Sequence, residues 1–453
     1  MVNWLWYSAW RFALVAGLAA LVSAAAACSG DDDNTTTPSA STGASATATS
    51  SGAALKIGAL LSFTGDLGSY GQPIFQGAEL AVSEINGAGG VNGQPIELVK
   101  GDDATSPQTG VSEAQRLVNV EHVDAIVGAL ASGVSLQVAE TVTGPAKVVQ
   151  ISPASTSPAL TTANDSDFLF RTTISDAAQG IVLAKLAEDA GLKKVCNLYV
   201  NSAYGQGLSN AFKAQFEADG NTITAEVPHE ENQPTYATEL GQCAGADALA
   251  AIAYPASATT FLREAKEGNM FPHYLFVDGT KDPDMFNNLG YANFDGERGT
   301  SPSSLPTAQA TGFSARYQAK YGELPPKPFI KEAYDAVYLI ALAAQKAKSN
   351  SGQAIHDALR DVANAPGTAI APGPDGWTQA VTALQGGNDI DYEGTGQLEL
   401  DSNGDPEVGA IEWWHVDAAK STLTTDKVFE ADLQTKKVTD ITAQVNGSTS
   451  PSP

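Results

Sequence analysis

The feature that most constrains the fold is a regular alternation of short apolar runs with longer amphipathic segments. Residues 56–61 form the first apolar run and predict a strand, which is followed by a predicted helix over residues 70–86. A second strand over residues 94–100 is followed by a helix over residues 107–119. Strands that alternate with helices in this way favour doubly wound, mainly parallel sheets. We therefore expect an α/β fold.

The same alternation resumes near residue 173 and predicts a second sheet with its own helices. The predicted elements of this second series are helix 176–190, strand 195–200, helix 207–219, strand 222–227, helix 236–244, strand 248–253, helix 258–268 and strand 274–277. Three helices are predicted further along, at 307–321, 329–348 and 352–362, and two strands around a turn at 397–400 and 408–416.

Two consecutive strands of the first series run into loops of small and hydroxyl-bearing residues. The strand at 123–128 leads into a loop that contains Ser132, and the strand at 148–151 leads into a loop that contains Thr156. A helix is predicted to begin after each loop, and a helix N-terminus carries free amides and a partial positive charge. Both residues are also common N-caps. Because ligands of open α/β sheets bind at the carboxyl ends of strands, the pair of loops predicts a carboxylate site.

The composition excludes several classes of function. The 453 residues carry a formal charge of −26, which disfavours nucleic acid and anionic membranes as partners. The sequence contains no G-x-S-x-G, H-E-x-x-H or C-x-x-C motif, and its five histidines are scattered without metal-ligand spacing. We therefore expect no enzyme, no metal site and no cofactor.

The N-terminal part reads as an export segment followed by a tether. Residues 1–28 contain one charged side chain, an apolar run at 12–22 and the sequence AAAC, which ends at Cys28 and resembles a lipobox. In a lipoprotein signal peptide this Cys is lipidated after cleavage, although ordinary signal peptidase could cut at the same bond. Residues 29–54 consist almost only of small and polar residues and predict a disordered tether.

Three segments together resemble one known family. They are LLSFTGDLGSYGQPIFQGAELAVSEINGAGGVNGQPIELVKGDDATSP, GALASGVS and SPASTSPALT, and they are similar to the leucine/isoleucine/valine-binding family of ABC-transporter solute receptors, the type I periplasmic binding proteins. The resemblance covers about residues 55–417. It implies two doubly wound lobes with parallel sheets, joined by a multi-strand hinge, with a ligand cleft between them.

The resemblance also divides the chain into lobes. The first lobe is expected at residues 55–172, with 297–365 returning to it. The second lobe is expected at residues 173–296, with 366–440 returning to it. The remaining residues, 441–453, are expected to be a disordered tail.

The resemblance further implies a set of ligand-binding residues around the cleft. They are Tyr70, Ser132, Ala154, Thr156, Tyr204, Tyr254 and Asp278. The Ser132 and Thr156 hydroxyls, with nearby amides and the Ala154 carbonyl, suit the carboxylate and one edge of the ammonium of an amino acid. Asp278 would pair with the ammonium from the opposite lobe. Each tyrosine could alternatively serve only as an apolar packing contact of the lobes, without binding the ligand.

The expected function is that of an extracytoplasmic receptor for an amino acid, branched-chain type, or for a related small polar solute. Its partners would be an ABC permease and ATPase encoded elsewhere, and the membrane through lipidated Cys28, with the chain itself monomeric. A ligand-sensing subunit that reports occupancy to a signalling partner is the alternative. Export also favours a disulfide between Cys196 and Cys243, although two buried free thiols remain the other option.

Overall fold

The computed structural model describes residues 52–305, 307–396 and 398–447. The predicted export segment, Cys28 and residues 29–51 of the predicted tether lie outside these ranges. The strands, in chain order, are β1 (Leu55–Leu61), β2 (Ile96–Asp102), β3 (Ala125–Gly128), β4 (Val149–Ser152), β5 (Leu169–Arg171), β6 (Lys194–Val200), β7 (Thr222–His229), β8 (Ala248–Ile252), β9 (His273–Phe276), β10 (Arg298–Ser303), β11 (Thr368–Ile370), β12 (Ile390–Tyr392), β13 (Val408–Asp417), β14 (Thr422–Asp432) and β15 (Lys437–Asp440).

Several of the helices begin at a residue whose side chain caps the first turn. In chain order they are α1 (Gly68–Gly87), α2 (Pro107–Asn119), α3 (Ser132–Val138), α4 (Gly144–Ala146), α5 (Asp176–Asp189), α6 (Ala203–Ala218), α7 (Ala237–Gln242), α8 (Pro255–Glu267), α9 (Pro283–Leu289), α10 (Ala308–Tyr321), α11 (Ile330–Ala347), α12 (Gly352–Ala363), α13 (Pro374–Gln385) and α14 (Thr442–Gly447). Ser106, Ser175 and Ser202 each accept a backbone N–H in the first turn of α2, α5 and α6. Such caps satisfy donors that a helix leaves free at its start.

The first sheet has the order β2-β1-β3-β4-β5, and its described strands are all parallel. The central strands β3 and β4 are buried along their whole length, whereas the edge strand β2 exposes Glu97 and Lys100. The inner strands are mainly apolar, although β4 also buries Gln150 and Ser152. The prediction of a parallel α/β sheet is confirmed.

The second sheet has the order β15-β14-β13-β10-β9-β8-β6-β7. It is parallel from β10 to β7 and antiparallel from β10 to β15. The sequence predicted two strands, 397–400 and 408–416, around a turn. Among the described residues these two segments do not pair as a hairpin. Gln397 lies outside the described residues, and Leu400 forms only an isolated bridge with Pro406. Strand β13 pairs with β14 instead, where Trp413 packs on Phe429 with ring centroids 4.8 Å apart.

The chain passes between the two sheets three times, after β5, after β10 and between β12 and β13. The third passage comes later than the sequence predicted, because the segment from β11 to β12 packs on the first-sheet side rather than the second. Tyr392 of β12 stacks on Tyr338 of α11 at 5.5 Å and donates a 2.8 Å hydrogen bond to Asp335. Burial of this aromatic pair holds the segment to α11.

The sequence predicted a disordered tail from residue 441, but the chain forms a helix after that residue. Residues Thr442–Gly447 form helix α14, which follows the buried residue Ile441. Ile441 packs beside Val428 and donates its backbone N–H to the carbonyl of that residue at 2.9 Å. This apolar contact orders the chain as far as α14, and residues 448–453 lie outside the described ranges.

A disulfide joins Cys196 of β6 to Cys243, which follows α7. Their Cα atoms are 5.4 Å apart, and both side chains are buried in the apolar cluster on the second-sheet side. The bond links residues 47 positions apart.

Within the described ranges, none of the helices combines the length and apolar composition that crossing a membrane requires.

Candidate functional site

A pocket lies between the two sheets, with about 310 Å³ of empty space that includes its solvent-filled mouth. It is bounded by residues that follow the carboxyl ends of strands in both sheets, the position expected for a ligand in open α/β folds. The lining residues are Leu67, Tyr70, Ile74, Leu130, Ser132, Ala154, Tyr204, Tyr254, Asp278, Gly279 and Phe329. Six of the seven residues expected at the ligand site are therefore on its wall.

Asp278 is the charged group on the cavity wall. It begins a short 3₁₀ turn, Asp278–Thr280, directly after β9, and its side chain is buried. Its Oδ1 accepts hydrogen bonds from the Tyr204 hydroxyl and from Gln179 Nε2, both at 2.8 Å. Both donors are neutral, and no ion pair to Asp278 occurs among the described residues. Burial raises the pKa of Asp278 to about 6, while its hydrogen bonds act in the opposite direction.

Thr156 is the expected site residue that the structure leaves off the cavity wall. Its hydroxyl donates a 2.9 Å hydrogen bond to Oδ2 of Asp176, and its carbonyl accepts the Asp176 backbone N–H at 2.8 Å. Asp176 is fully buried at the start of α5, and its Oδ1 has no hydrogen-bond partner in the described part of the chain. Burial and the nearby charge of Asp278 raise the pKa of Asp176 well above its ordinary value.

Three tyrosines enclose the cavity, and each has a different hydrogen-bond environment. Tyr70 donates its hydroxyl to the backbone carbonyl of Asp278 at 2.9 Å, which joins α1 on the first-sheet side to the second-sheet side. Tyr204 is held by Asp278, and its ring stacks on Tyr254 at 5.3 Å. The buried hydroxyl of Tyr254 makes no well-aligned hydrogen bond within the described ranges and has the Ser202 side chain nearby, which leaves a donor available to a ligand.

The first-sheet side supplies hydroxyl and amide groups at the opposite wall. Ser132 begins α3, and its Oγ accepts the backbone N–H of Ser157 at 3.2 Å, so the two loops are tied together. Ser157 in turn donates its hydroxyl to the carbonyl of Ala203 on the second-sheet side at 2.7 Å. The Ser132 hydroxyl hydrogen is not used in that bond and remains available for an anionic group. Ala154 lies on the same wall.

The apolar part of the wall was not predicted. Leu67 and Ile74 flank Tyr70 in the same sequence stretch, so their presence could have been inferred from it. Phe329 comes from the start of α11, far from the other lining residues in sequence. It has a left-handed backbone with φ 74°, uncommon for a bulky residue, and this conformation turns the chain into α11. Its preceding residues LPPKP give no local signal of a ligand contact.

The site therefore combines a hydroxyl-rich wall, an apolar wall and a buried carboxylate without a cation. This arrangement can hold a small solute with an anionic group, an apolar body and a cationic group. Among the described residues, no group of three or more His, Cys, Asp or Glu side chains is placed to hold a metal ion.

Comparison with known proteins gives consistent matches. A family model described as periplasmic binding protein matches residues 54–383. The Leu/Ile/Val-binding protein homolog 3 of Brucella melitensis is 30% identical over 312 residues, which cover 68% of this chain and 83% of that protein. The chemotactic signal transduction system substrate-binding protein BasB of Halobacterium salinarum is 27% identical over 374 residues, covering 80% and 86%.

A solved structure shows the same architecture. The substrate-binding protein LivJ of a branched-chain amino acid transporter from Streptococcus pneumoniae, in complex with isoleucine, superimposes with a TM-score of 0.68. Its sequence identity to this chain is 25%, and the match covers 86% of this chain and 100% of that chain.

Proposed function

The chain belongs to the periplasmic binding protein family, and from this premise we propose that it is the extracytoplasmic receptor of an ABC importer for an amino acid, branched-chain type. It captures the solute in the cavity and delivers it to a permease and ATPase encoded elsewhere. The family and the Leu/Ile/Val-binding relatives support this class of ligand.

The observation that carries the proposal is the buried carboxylate of Asp278 beside an apolar wall. A buried carboxylate without a cation is unfavourable, and burial raises its pKa to about 6 as a result. A ligand ammonium supplies the missing cation. The apolar side chains of Leu67, Ile74 and Phe329 then accommodate a hydrocarbon group rather than a polar one.

The ligand carboxylate is assigned to the wall formed by Ser132, with the Ala154 carbonyl facing the ammonium from the same side. The Thr156 hydroxyl donates to Asp176 in this structure. We assign it to orienting the loop between β4 and β5 and to coupling that loop to α5. Tyr254 donates its hydroxyl to the ligand.

The proposed mechanism is closure of two lobes around the ligand. The first lobe contains the first sheet with the segment from α10 to β12, and the second contains the second sheet. The three passages between the sheets form the hinge. Because the hydroxyl-rich wall and Asp278 belong to different lobes, a zwitterionic ligand satisfies both charges only in the closed form.

Isothermal titration calorimetry of the purified protein tests this function. The panel contains L-leucine, L-isoleucine, L-valine, a polar amino acid, an amide and 4-methylpentanoate, which is leucine without its ammonium. We expect the branched-chain amino acids to bind most tightly and 4-methylpentanoate to bind at least about 30-fold more weakly. Equal binding of leucine and 4-methylpentanoate would contradict the role given to Asp278.

A sensor subunit is the second candidate function, and the similarity to BasB favours it. Both functions use the same ligand cavity and differ in the partner protein. Purification of the full-length protein from mild detergent, with its partners identified by mass spectrometry, separates them. A permease with an ATPase supports transport, whereas a membrane transducer or kinase supports sensing.

A further inference from the structure

We propose that Ser69, Asp282 and Lys327 form a clamp across the cleft, which positions the ligand-binding walls and slows ligand release without contacting the ligand. Asp282 belongs to the second lobe, in the loop between β9 and α9, while Ser69 and Lys327 belong to the first lobe. Lys327 Nζ lies 2.9 Å from Asp282 Oδ1, and the Ser69 hydroxyl donates to Asp282 Oδ2. Both carboxylate oxygens of Asp282 are therefore bound from the opposite lobe.

The position of Lys327 is fixed by further contacts. Its Nζ donates to the Ser69 backbone carbonyl at 2.8 Å and lies 2.9 Å from Oδ2 of Asp284. It also lies 5.3 Å from the centre of the Tyr70 ring. Asp284 is 66% exposed, so solvent screens its attraction to Lys327, and Asp282 is the partner that matters.

None of the three clamp residues lines the cavity, but each is close in sequence to a residue that does. Ser69 precedes Tyr70, and Lys327 lies two positions before Phe329. Asp282 follows the turn that begins with Asp278. When the clamp forms, the tyrosine, the phenylalanine and the carboxylate are brought to the cavity together. Such residues control the geometry of the wall rather than the chemistry of the ligand.

The clamp is inferred to favour the closed form because its ion pair is buried between the lobes. The side chains of Lys327 and Asp282 are 3% and 1% exposed in this structure. If the lobes separate, both charges return to water. Removal of one charge leaves the other buried and unpaired in the closed form but hydrated in the open form. The cost therefore falls on closure, and the closed, ligand-holding form is lost more readily.

The inference rests on the proposed two-lobe closure, and the first test is a comparison of matched lysine variants. Lys327→Met keeps the apolar stem and removes the charge. Its control is Lys281→Met, because Lys281 forms a buried ion pair with Glu412 inside the second lobe, with 8% exposure for both side chains. Stopped-flow and calorimetric titrations with L-leucine give the Kd and the dissociation rate.

We expect Lys327→Met to weaken L-leucine binding by about tenfold or more, mainly through faster dissociation. Lys281→Met should lower the melting temperature while leaving the Kd within about twofold of the wild type. Asp282→Asn retains a residue that caps α9 and should reproduce the loss, and the double variant should lose less than the product of the single losses. An unchanged dissociation rate in folded Lys327→Met or Asp282→Asn would overturn the clamp, as would an equal loss in Lys281→Met.

A failure of the proposed function is distinguished from a failure of the clamp. If the wild type binds none of the solutes in the panel, the amino-acid assignment is wrong, and the clamp is then tested without ligand. Small-angle X-ray scattering of ligand-free wild type and Lys327→Met reports the average opening of the cleft. A larger radius of gyration for the variant supports the clamp, and identical profiles overturn it.

Discussion

Tyr204 donates its hydroxyl to Oδ1 of Asp278 at a distance of 2.8 Å, inside the cavity that separates the two sheets. The tyrosine follows β6 and the aspartate follows β9, so both lie at the carboxyl ends of strands in the same sheet. The bond holds the carboxylate toward the cavity but does not neutralise it, because a phenol hydroxyl is an uncharged donor. The ligand is expected to complete this arrangement.

Asp278→Asn is expected to weaken L-leucine binding by about 30-fold to several thousand-fold. The amide retains the size of the side chain but cannot neutralise a buried ammonium, a loss of about 2–5 kcal/mol. Calorimetry measures the change. Binding of 4-methylpentanoate is the internal control and should not fall, because this compound has no ammonium. Unchanged leucine binding by the folded variant would refute the ion pair.

Ligand affinity is expected to depend on pH through Asp278. Burial raises the pKa of this carboxyl to about 6 in the ligand-free protein, and a bound ammonium lowers it again. The complex therefore holds fewer protons, so affinity increases as the pH rises through 6 and becomes constant above about pH 7. As the pH falls below 6, the Kd should rise by up to about tenfold for each pH unit. Titrations between pH 4.5 and 8 measure this, and the curve of Asp278→Asn should be flatter.

Tyr254→Phe is expected to reduce affinity without destabilising the ligand-free protein. The hydroxyl makes no well-aligned hydrogen bond in the described part of the chain and only approaches Ser202, so its removal should cost little stability. Loss of one hydrogen bond to the ligand corresponds to about 0.5–1.5 kcal/mol. Thermal unfolding and calorimetry measure the two effects separately. Tyr204→Phe is the matched control, since it removes the bond to Asp278 and should lower both stability and affinity.

Reduction of the Cys196–Cys243 disulfide is expected to lower the free energy of unfolding by about 4 kcal/mol, from the 47-residue separation that it closes. Neither cysteine lines the cavity, and both are packed in an apolar cluster on the second-sheet side. Affinity should therefore be preserved. Denaturant titrations of wild type with and without reductant, and of the Cys196→Ala/Cys243→Ala variant, measure the loss. Two reactive thiols in unreduced, denatured protein would exclude the bond.

Cys28→Ala is expected to release the mature protein from the membrane fraction. The motivation is the AAAC sequence at the end of the apolar run and the polar tether that follows it. Fractionation of cells with a specific antibody measures the distribution of the protein. Equal membrane association of the variant, or wild-type peptides without lipid on Cys28, would contradict anchoring through Cys28.

Much of the fold could be inferred locally. Helix α2 begins and ends at the predicted residues, because Ser106 caps it, Pro107 starts it and its apolar positions follow the helical period. The first strand, β1, is a mainly apolar run bounded by polar and glycine-containing segments, which is the local signal of a buried strand. The segment from β13 to β15 was less predictable, since the pairing of Trp413 with Phe429 depends on a cross-strand contact rather than on local period.

The candidate site divides in a similar way. Five of the site residues follow strands or lie at the start of helices, so their sequence context placed them at one edge of the sheets. They are Tyr70, Ser132, Tyr204, Tyr254 and Asp278. The role of Thr156 was not predictable in the same manner. Its hydroxyl reaches Asp176, which lies 20 residues further along the chain and beyond β5, and the choice between a ligand and a buried carboxylate depends on three-dimensional proximity.

The amino-acid sequence by itself determined the alternation of strands and helices, the family and the loops that carry the polar site residues, because these follow from local hydrophobic period, capping chemistry and short motifs. The tertiary structure decided which groups meet across the cleft. Phe329 reaches the cavity and Lys327 reaches Asp282 only because α11 packs on the first sheet beside α1. Such contacts join residues far apart in the chain, and their energies depend on burial, which only the folded arrangement defines.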